Sequence, residues 1–140
     1  MVLATTNCPW DLDEAIRRRL EKRIYIPLPD AMARVELFSI YLRTLSVSPE
    51  VTPAILARAT EGYSGFDVHL VCREAAMMPM RQLLETFTPQ ELNLMKQNGS
   101  LLIAPVSLKD FFAAIHNTKP SVSADSIGRY LSWDEEFGSR

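Results

Sequence analysis

The order of apolar and polar positions along the chain predicts a short α/β beginning followed by a run of helices. Val2-Leu3-Ala4 is a brief apolar stretch that breaks at Thr5-Thr6-Asn7. Ile24-Tyr25-Ile26 is a second, halted by Pro27-Leu28-Pro29. Short apolar runs bounded by turn residues suit buried strands of a parallel sheet. Between them the pattern predicts a charged helix, with Asp11 as N-cap and with Asp13 and Glu14 in the first turn, where acids complement the helix dipole. From Ala31 to about Leu45, the side chains of Val35, Phe38, Leu42 and Leu45 form one stripe, widened by Leu37, Ile40 and Tyr41. So wide an apolar face predicts a helix packed on two sides.

Capping residues punctuate the rest. Thr52-Pro53 opens a short helix that ends before Gly62. Ser64 and Asp67 have the spacing of a capping box and precede a long helix to about Phe87, with Val68, Val71, Cys72 and Ala75 on one face. Thr88-Pro89-Gln90-Glu91 starts another helix that stops near Asn98-Gly99. Residues 101–106 read as extended. Ser107 to Asp110 then opens a helix whose apolar side is Phe111, Phe112 and Ile115, and Ser123 caps a last helix through Ile127, Tyr130, Leu131 and Phe137.

Composition narrows the function classes. The 140 residues are 47% hydrophobic and 23% charged, with a formal net charge of −2, so the length suits one ordinary domain with its own core. There is no basic excess to point to nucleic acid or an anionic membrane. No apolar run approaches the ~20 residues needed to cross a bilayer. Cys8 and Cys72 have no cysteine or histidine cluster near them, and His69 and His116 have no acidic or cysteine neighbours at ligand spacing. No metal site and no disulfide framework is expected, and a reducing cytosolic compartment is.

Several positions carry candidate chemistry beside plainer readings. Asn7 follows the first apolar run, where open α/β sheets place ligands; it either turns the chain or orients a water or a terminal phosphate. Arg17, Arg18 and Arg19 point ~100° apart on a helix, so they form a solvated basic face paired with Glu14 and Glu21, or two of them reach a partner. Tyr41 lies in an apolar stripe, where a tyrosine is ordinarily core. Gly62 and Gly65, flanking Tyr63-Ser64, permit a tight helix–helix corner.

Strand, polar tip, arginine-rich helix and strand, in that order, resemble the second half of the ATPase core of an AAA protein. The run TNCPWDLDEAIRRRLEKRIYIPLP leans toward the katanin-type microtubule-severing branch, and Gly62-Tyr63-Ser64-Gly65-Phe66-Asp67 is similar to the GxSGxD turn of AAA lids. The tail KPSVSADSIGRYLSWDEEFGSR resembles the C-terminal end of katanin, spastin and the ESCRT-disassembling ATPases. The resemblance implies a mainly α fold. Residues 1–29 would be a remnant of the α/β core (two short strands and a helix), 30–118 a helical lid, and 119–140 a loop and helix that pack back on the core, anchored by Tyr130 and Trp133.

The same resemblance implies roles. Asn7 becomes the sensor 1 residue, and Arg18 and Arg19 become arginine fingers that act in trans on the ATP bound by a neighbour in the ring. Tyr41, Gly65 and Phe66 border the nucleotide base, although Phe66 stands where the family usually has Ala or Ser, so its ring would narrow the pocket or stack on the base. The parent protein would be a homo-hexamer in the cytoplasm that uses ATP and Mg²⁺. It would reach tubulin and microtubules through parts not in this chain, with no nucleic acid or membrane partner.

None of the five glycines precedes a lysine, so there is no G-x-x-x-x-G-K-[ST] phosphate loop. Asp134-Glu135 falls in a helical pattern rather than at the end of an apolar strand. The chain alone is therefore expected to bind no nucleotide and to be inactive. Two alternatives accompany this reading. One is the same machine acting on another polymer, of the ESCRT-disassembly type. The other is a non-catalytic helical module that joins or inhibits such hexamers.

Overall fold

The computed structural model of the chain describes residues 2–139. Met1 and Arg140, the outer ends of the first and last expected segments, lie outside the described residues. Seven α-helices occur in order: α1 (Glu14–Arg19), α2 (Ala31–Leu42), α3 (Pro53–Ala59), α4 (Gly65–Thr86), α5 (Pro89–Gln97), α6 (Leu108–Asn117) and α7 (Ala124–Phe137). A 3-10 turn, Pro9–Asp11, precedes them. The mainly helical fold read from the sequence is the one observed.

Most helix starts fall where their caps place them. The side chains of Asp30, Thr52, Ser64, Thr88, Ser107 and Ser123 each accept a backbone N–H three residues on. Ser64, Thr88 and Ser107 form complete capping boxes with Asp67, Glu91 and Asp110. Gly99, at φ +67°, supplies the left-handed residue just past α5.

The first helix departs from expectation at its start. Pro9 fixes a 3-10 turn that takes up Asp11, so the N-cap passes to Asp13, which accepts the Ile16 N–H at 2.7 Å. Helix α2 also stops at Leu42, short of Leu45, although Leu45 still packs on the core.

The two expected strands are not formed among the described residues. Val2-Leu3-Ala4 and Ile24-Tyr25-Ile26 have no regular structure, and Val2, Leu3, Ile24 and Ile26 are each at least 73% exposed. A strand exists only through hydrogen bonds to a neighbour, and neither stretch has one here. Among the described residues the one β-bridge is elsewhere, between Val47 and Val106, and it pins the 101–106 stretch through Val106 N–H to Ser46 O at 2.9 Å.

The chain divides into two compact units, Leu28–Ser121 and a terminal unit of Met1–Pro27 with Val122–Arg140. In the Leu28–Ser121 unit, α4 is central and packs on α2 and α6, while α2 also packs on α3. Phe38, Leu56, Val68, Val71, Ala75, Phe111 and Ala114 have no exposed surface and form one core. Ile40 and Phe112, read as part of apolar faces, lie on the outer side of that core, at 54% and 45% exposed. Pro79 is buried inside α4, which continues through it.

The terminal unit is built differently. Its helices α1 and α7 and its 3-10 turn contain no buried residue. Aromatic contacts and backbone capping hold it instead: Trp10, Tyr130 and Tyr25 form a ladder with ring centroids 5.1 Å and 6.0 Å apart, and Trp133 lies 5.5 Å from Phe137.

Candidate functional site

The three arginines of α1 go three ways, as their angular spacing requires. Arg17 turns inward, its guanidinium 4.8 Å from the Phe137 ring centre. Arg18 lies in solvent and pairs with Glu14 at 2.6 Å, one turn back. An exposed pair of this kind is easily broken, at about 0.5 kcal/mol or less. Arg19 is exposed and makes no ion pair among the described residues. Arg18 and Arg19 are thus long cations with little holding them, on the last turn of a six-residue helix. Asn7 is also exposed; its backbone carbonyl accepts the Tyr130 hydroxyl at 2.6 Å, which fixes the main chain and leaves the amide side chain outward.

The remaining site residues belong to the Leu28–Ser121 unit. Gly65 is the first residue of α4, and a Cβ built on it would meet Leu37 Cδ1 at 3.9 Å, an ordinary contact. Helix α2 therefore presents Leu37 to the opening of α4, with Tyr41 one turn further along. The Tyr41 ring packs on His69 of α4, centroids 5.2 Å apart and tilted by 49°. Phe66 points away from the core and is two-thirds exposed. The structure brings Tyr41 and Gly65 to the same α2–α4 junction and adds Leu37 and His69 to it. Asn7, Arg18 and Arg19 lie in the terminal unit.

The turn before α4 is held by the capping-box carboxylate Asp67, which also takes a partner that the motif does not reveal, Ser121. Asp67 is 1% exposed, and its Oδ2 accepts the Ser64 N–H and hydroxyl at 2.9 and 2.8 Å, and the Ser121 N–H and hydroxyl at 3.2 and 3.1 Å. Burial by itself would raise this carboxyl. The four donors from Ser64 and Ser121 outweigh it and hold the group below the usual carboxylate range. Burial, with the nearby Asp67 charge, raises the Tyr63 phenol, whose hydroxyl lies against the carbonyls of Ile115 and Thr118. Cys72 is buried on α4, and burial pushes its thiol up to about 12, against formation of the reactive thiolate.

Two arginines given no candidate role prove structural. Arg34 is buried on α2, its Nε donating to Ala57 O at 3.1 Å and its Nη1 to Pro29 O at 2.9 Å. Arg23 donates to the carbonyls of Leu20, Arg17 and Phe137, so one guanidinium caps the ends of both α1 and α7. Arg129 lies 4.0 Å over the Trp10 ring. Leu20 and Arg17 are near Arg23 in sequence, but Phe137, 114 residues away, leaves no local signal of the second cap. Among the described residues no three His, Cys, Asp or Glu side chains stand close enough to hold a metal ion. No helix is long and apolar enough to cross a membrane.

Comparison with known proteins finds similarity to two domain families and to several longer proteins. Residues 51–94 match the AAA+ lid domain, and residues 86–138 match the Vps4 C terminal oligomerisation domain. The katanin p60 ATPase-containing protein A-like 1 of Danio rerio is 49% identical over 139 residues, 99% of this chain; the Homo sapiens protein is 47% identical over the same span. The chain spans 28% of the length of these curated relatives. Among solved structures, the FIGL-1 AAA domain in complex with ADP superposes with a TM-score of 0.80 at 32% identity, covering 96% of this chain and 44% of that one. A katanin structure concerned with self-assembly gives 0.76 at 38% identity, covering 93% and 45%. Residues 51–138 are thus similar to the lid and C-terminal region of AAA modules, and the chain as a whole is similar to that region of katanin-type ATPases.

Proposed function

We propose that this chain is the C-terminal part of a hexameric AAA ATPase that couples ATP hydrolysis to the severing of microtubules. The observation that carries the reading is similarity at 47–49% identity along 99% of the chain to katanin p60 A-like 1. The exposed apolar side chains of Val2, Leu3, Ile24 and Ile26 support it, since they are what two core strands present when the rest of their sheet is elsewhere.

In this reading ATP is the substrate, held mainly by phosphate-binding parts outside the chain, with Mg²⁺ supplying charge neutralisation on the phosphates when bound. Asn7 orients the attacking water or touches the terminal phosphate through its free amide. Arg18 leaves its weak pair with Glu14 and, with Arg19, reaches into the next protomer of the ring. There the two guanidiniums stabilise charge spreading over the transferred phosphoryl oxygens. Gly65, Tyr41 and Phe66 border the base at the α2–α4 junction, where the lack of a Cβ at Gly65 lets backbone and base approach. The parent hexamer acts in the cytoplasm on the microtubule cytoskeleton.

The test uses the full-length protein. Arg18→Ala with Arg19→Ala should reduce ATP turnover by about a thousandfold or more with ATP binding retained; intact turnover would sink the finger assignment. The match to the Vps4 C terminal oligomerisation domain favours a second reading, the same machine working on helical polymers of the ESCRT type. Stimulation of turnover by acidic tubulin tails, compared with stimulation by such a polymer, separates the two substrates.

A further inference from the structure

Proline follows a hydroxyl side chain at three places, Ser48-Pro49, Thr52-Pro53 and Thr88-Pro89. We propose that Thr88 is a phosphorylation site for a proline-directed protein kinase, reached because the arm 88–105 opens without disturbing the core. The proposal does not depend on the nucleotide reading of the chain. In the reaction Thr88 Oγ attacks the γ-phosphorus of ATP held by the kinase. The Oγ–P bond forms and the bond from phosphorus to the β,γ-bridging oxygen breaks. ADP departs with the electron pair, and the hydroxyl proton passes to a carboxylate of the kinase.

A kinase grips several residues around the hydroxyl in extended form, so the segment that carries it must first open locally. The arm is built to do so. From Met80 to Pro105 no residue is buried, and α5 is not among the closely packed helix pairs. Every hydrogen bond made by Thr88 to Pro105 closes within that segment. Its two ends are tied down, by Phe87 N–H on Leu83 O and by the bridge at Val106. Beside the arm an open groove of about 310 Å³ remains between Met80 and Leu84 of α4 and Pro89, Leu92 and Leu101. A nine-residue helix without a packed face is marginal in water, so the first turn of α5 unwinds at little cost.

The other two hydroxyls are locked to the core. The Ser48 N–H donates to Val106 O and the Ser48 carbonyl accepts the Val51 N–H, each at 3.0 Å, and Ser48 is half-buried. Thr52 follows buried Val51 and caps α3, whose Leu56 and Ala57 lie in the core. Opening either site takes packed structure apart. Thr88 is exposed, and its φ of −71° and ψ of 158° already have the extended form that a following proline favours. Its hydroxyl is engaged by Glu91 alone, donating to Oε2 at 2.9 Å, while the Thr88 N–H donates to the same oxygen at 2.7 Å. These bonds, the backbone one first, hold the Glu91 carboxyl below its usual range. A phosphate on Thr88 puts a second negative group beside that carboxylate. Glu91 is then expelled from the box, its carboxyl rises, and the phosphate takes over the N–H groups that open α5.

The experiment treats the chain with a purified proline-directed kinase of the mitogen-activated class and Mg·ATP, and maps phosphate by mass spectrometry. Thr88 should be modified at least about tenfold faster than Ser48 or Thr52. Amide exchange over 90–97 should outrun that over 68–75 by about a hundredfold or more. Glu91→Ala, which removes one side of the capping box, should speed modification about fivefold, and Pro89→Ala should nearly abolish it. Neither variant should move the melting temperature of the Leu28–Ser121 unit, because the arm carries none of its core. In the phosphorylated chain, carbon-13 titration should place the Glu91 carboxyl above its position in the unmodified chain. The proposal is overturned by no phosphate on Thr88, by equal rates at the three sites, or by exchange over 90–97 as slow as over 68–75. It is overturned equally if Pro89→Ala or Glu91→Ala leaves the rate at Thr88 unchanged.

Discussion

The two units of this chain differ in what holds them. The Leu28–Ser121 unit has a closed core in which Phe38, Leu56, Val68, Val71 and Phe111 are out of contact with solvent. The terminal unit buries no residue of its helices and relies on ring contacts, two arginines over aromatic faces and Arg23 on three carbonyls. Its most apolar side chains, Val2, Leu3 and Ile26, point into solvent at 83–84% exposed. The first unit has the makings of independent stability, because hydrophobic burial is its main term. The second leaves its apolar stretches Val2-Leu3 and Ile24 to Ile26 uncovered.

The largest effect that tests this contrast is in the core. Phe111→Ala should destabilise the Leu28–Ser121 unit by about 3–5 kcal/mol, through lost burial plus the cavity left behind. Urea unfolding followed by far-ultraviolet circular dichroism measures it. A loss under about 1 kcal/mol would mean that the unit is not held as a single packed core.

Acid should act next. The folded-state carboxyl of Asp67 lies below its ordinary value, so its contribution to stability is present above the unfolded value of about 4 and is lost as pH falls through the folded value. Melting of the Leu28–Ser121 unit should fall steeply in that acid window. Asp67→Asn should be less stable at neutral pH and flatter in acid. Parallel pH profiles for the two proteins would remove Asp67 from the account.

The smallest effect sharpens the contrast from the other side. Trp10→Ala removes the ring that meets Tyr130 and carries Arg129, interactions worth about 1 kcal/mol each or less. Near-ultraviolet dichroism of the terminal unit should weaken, while the melting temperature of the Leu28–Ser121 unit stays where it was. A shift in that melting temperature would show that the two units unfold together.

Parts of the candidate site were legible for unequal reasons. The divergence of Arg17, Arg18 and Arg19 follows from helix geometry, and the structure shows three different surroundings for them. The Ser64–Asp67 capping box is written in the spacing. Leu37 and His69, which join Gly65 and Tyr41 at the α2–α4 junction, read only as an apolar position and a lone histidine until two helices were brought together.

What the sequence by itself determined is most of what closes within one helical turn, the Asp13 cap of α1 excepted. The helix starts at Asp30, Thr52, Ser64, Thr88, Ser107 and Ser123 belong here, as does the left-handed stop at Gly99, because donor and acceptor are three or four residues apart. Tertiary structure decided what joins distant positions: Ser121 on Asp67, Arg23 on Phe137 O, Tyr130 on Asn7 O. It also decided that Val2–Ala4 and Ile24–Ile26 stay unpaired here. A helix satisfies its hydrogen bonds within its own segment and can be read locally. A strand, a buried carboxylate or a carbonyl-capping arginine is satisfied only by residues that the fold brings to it.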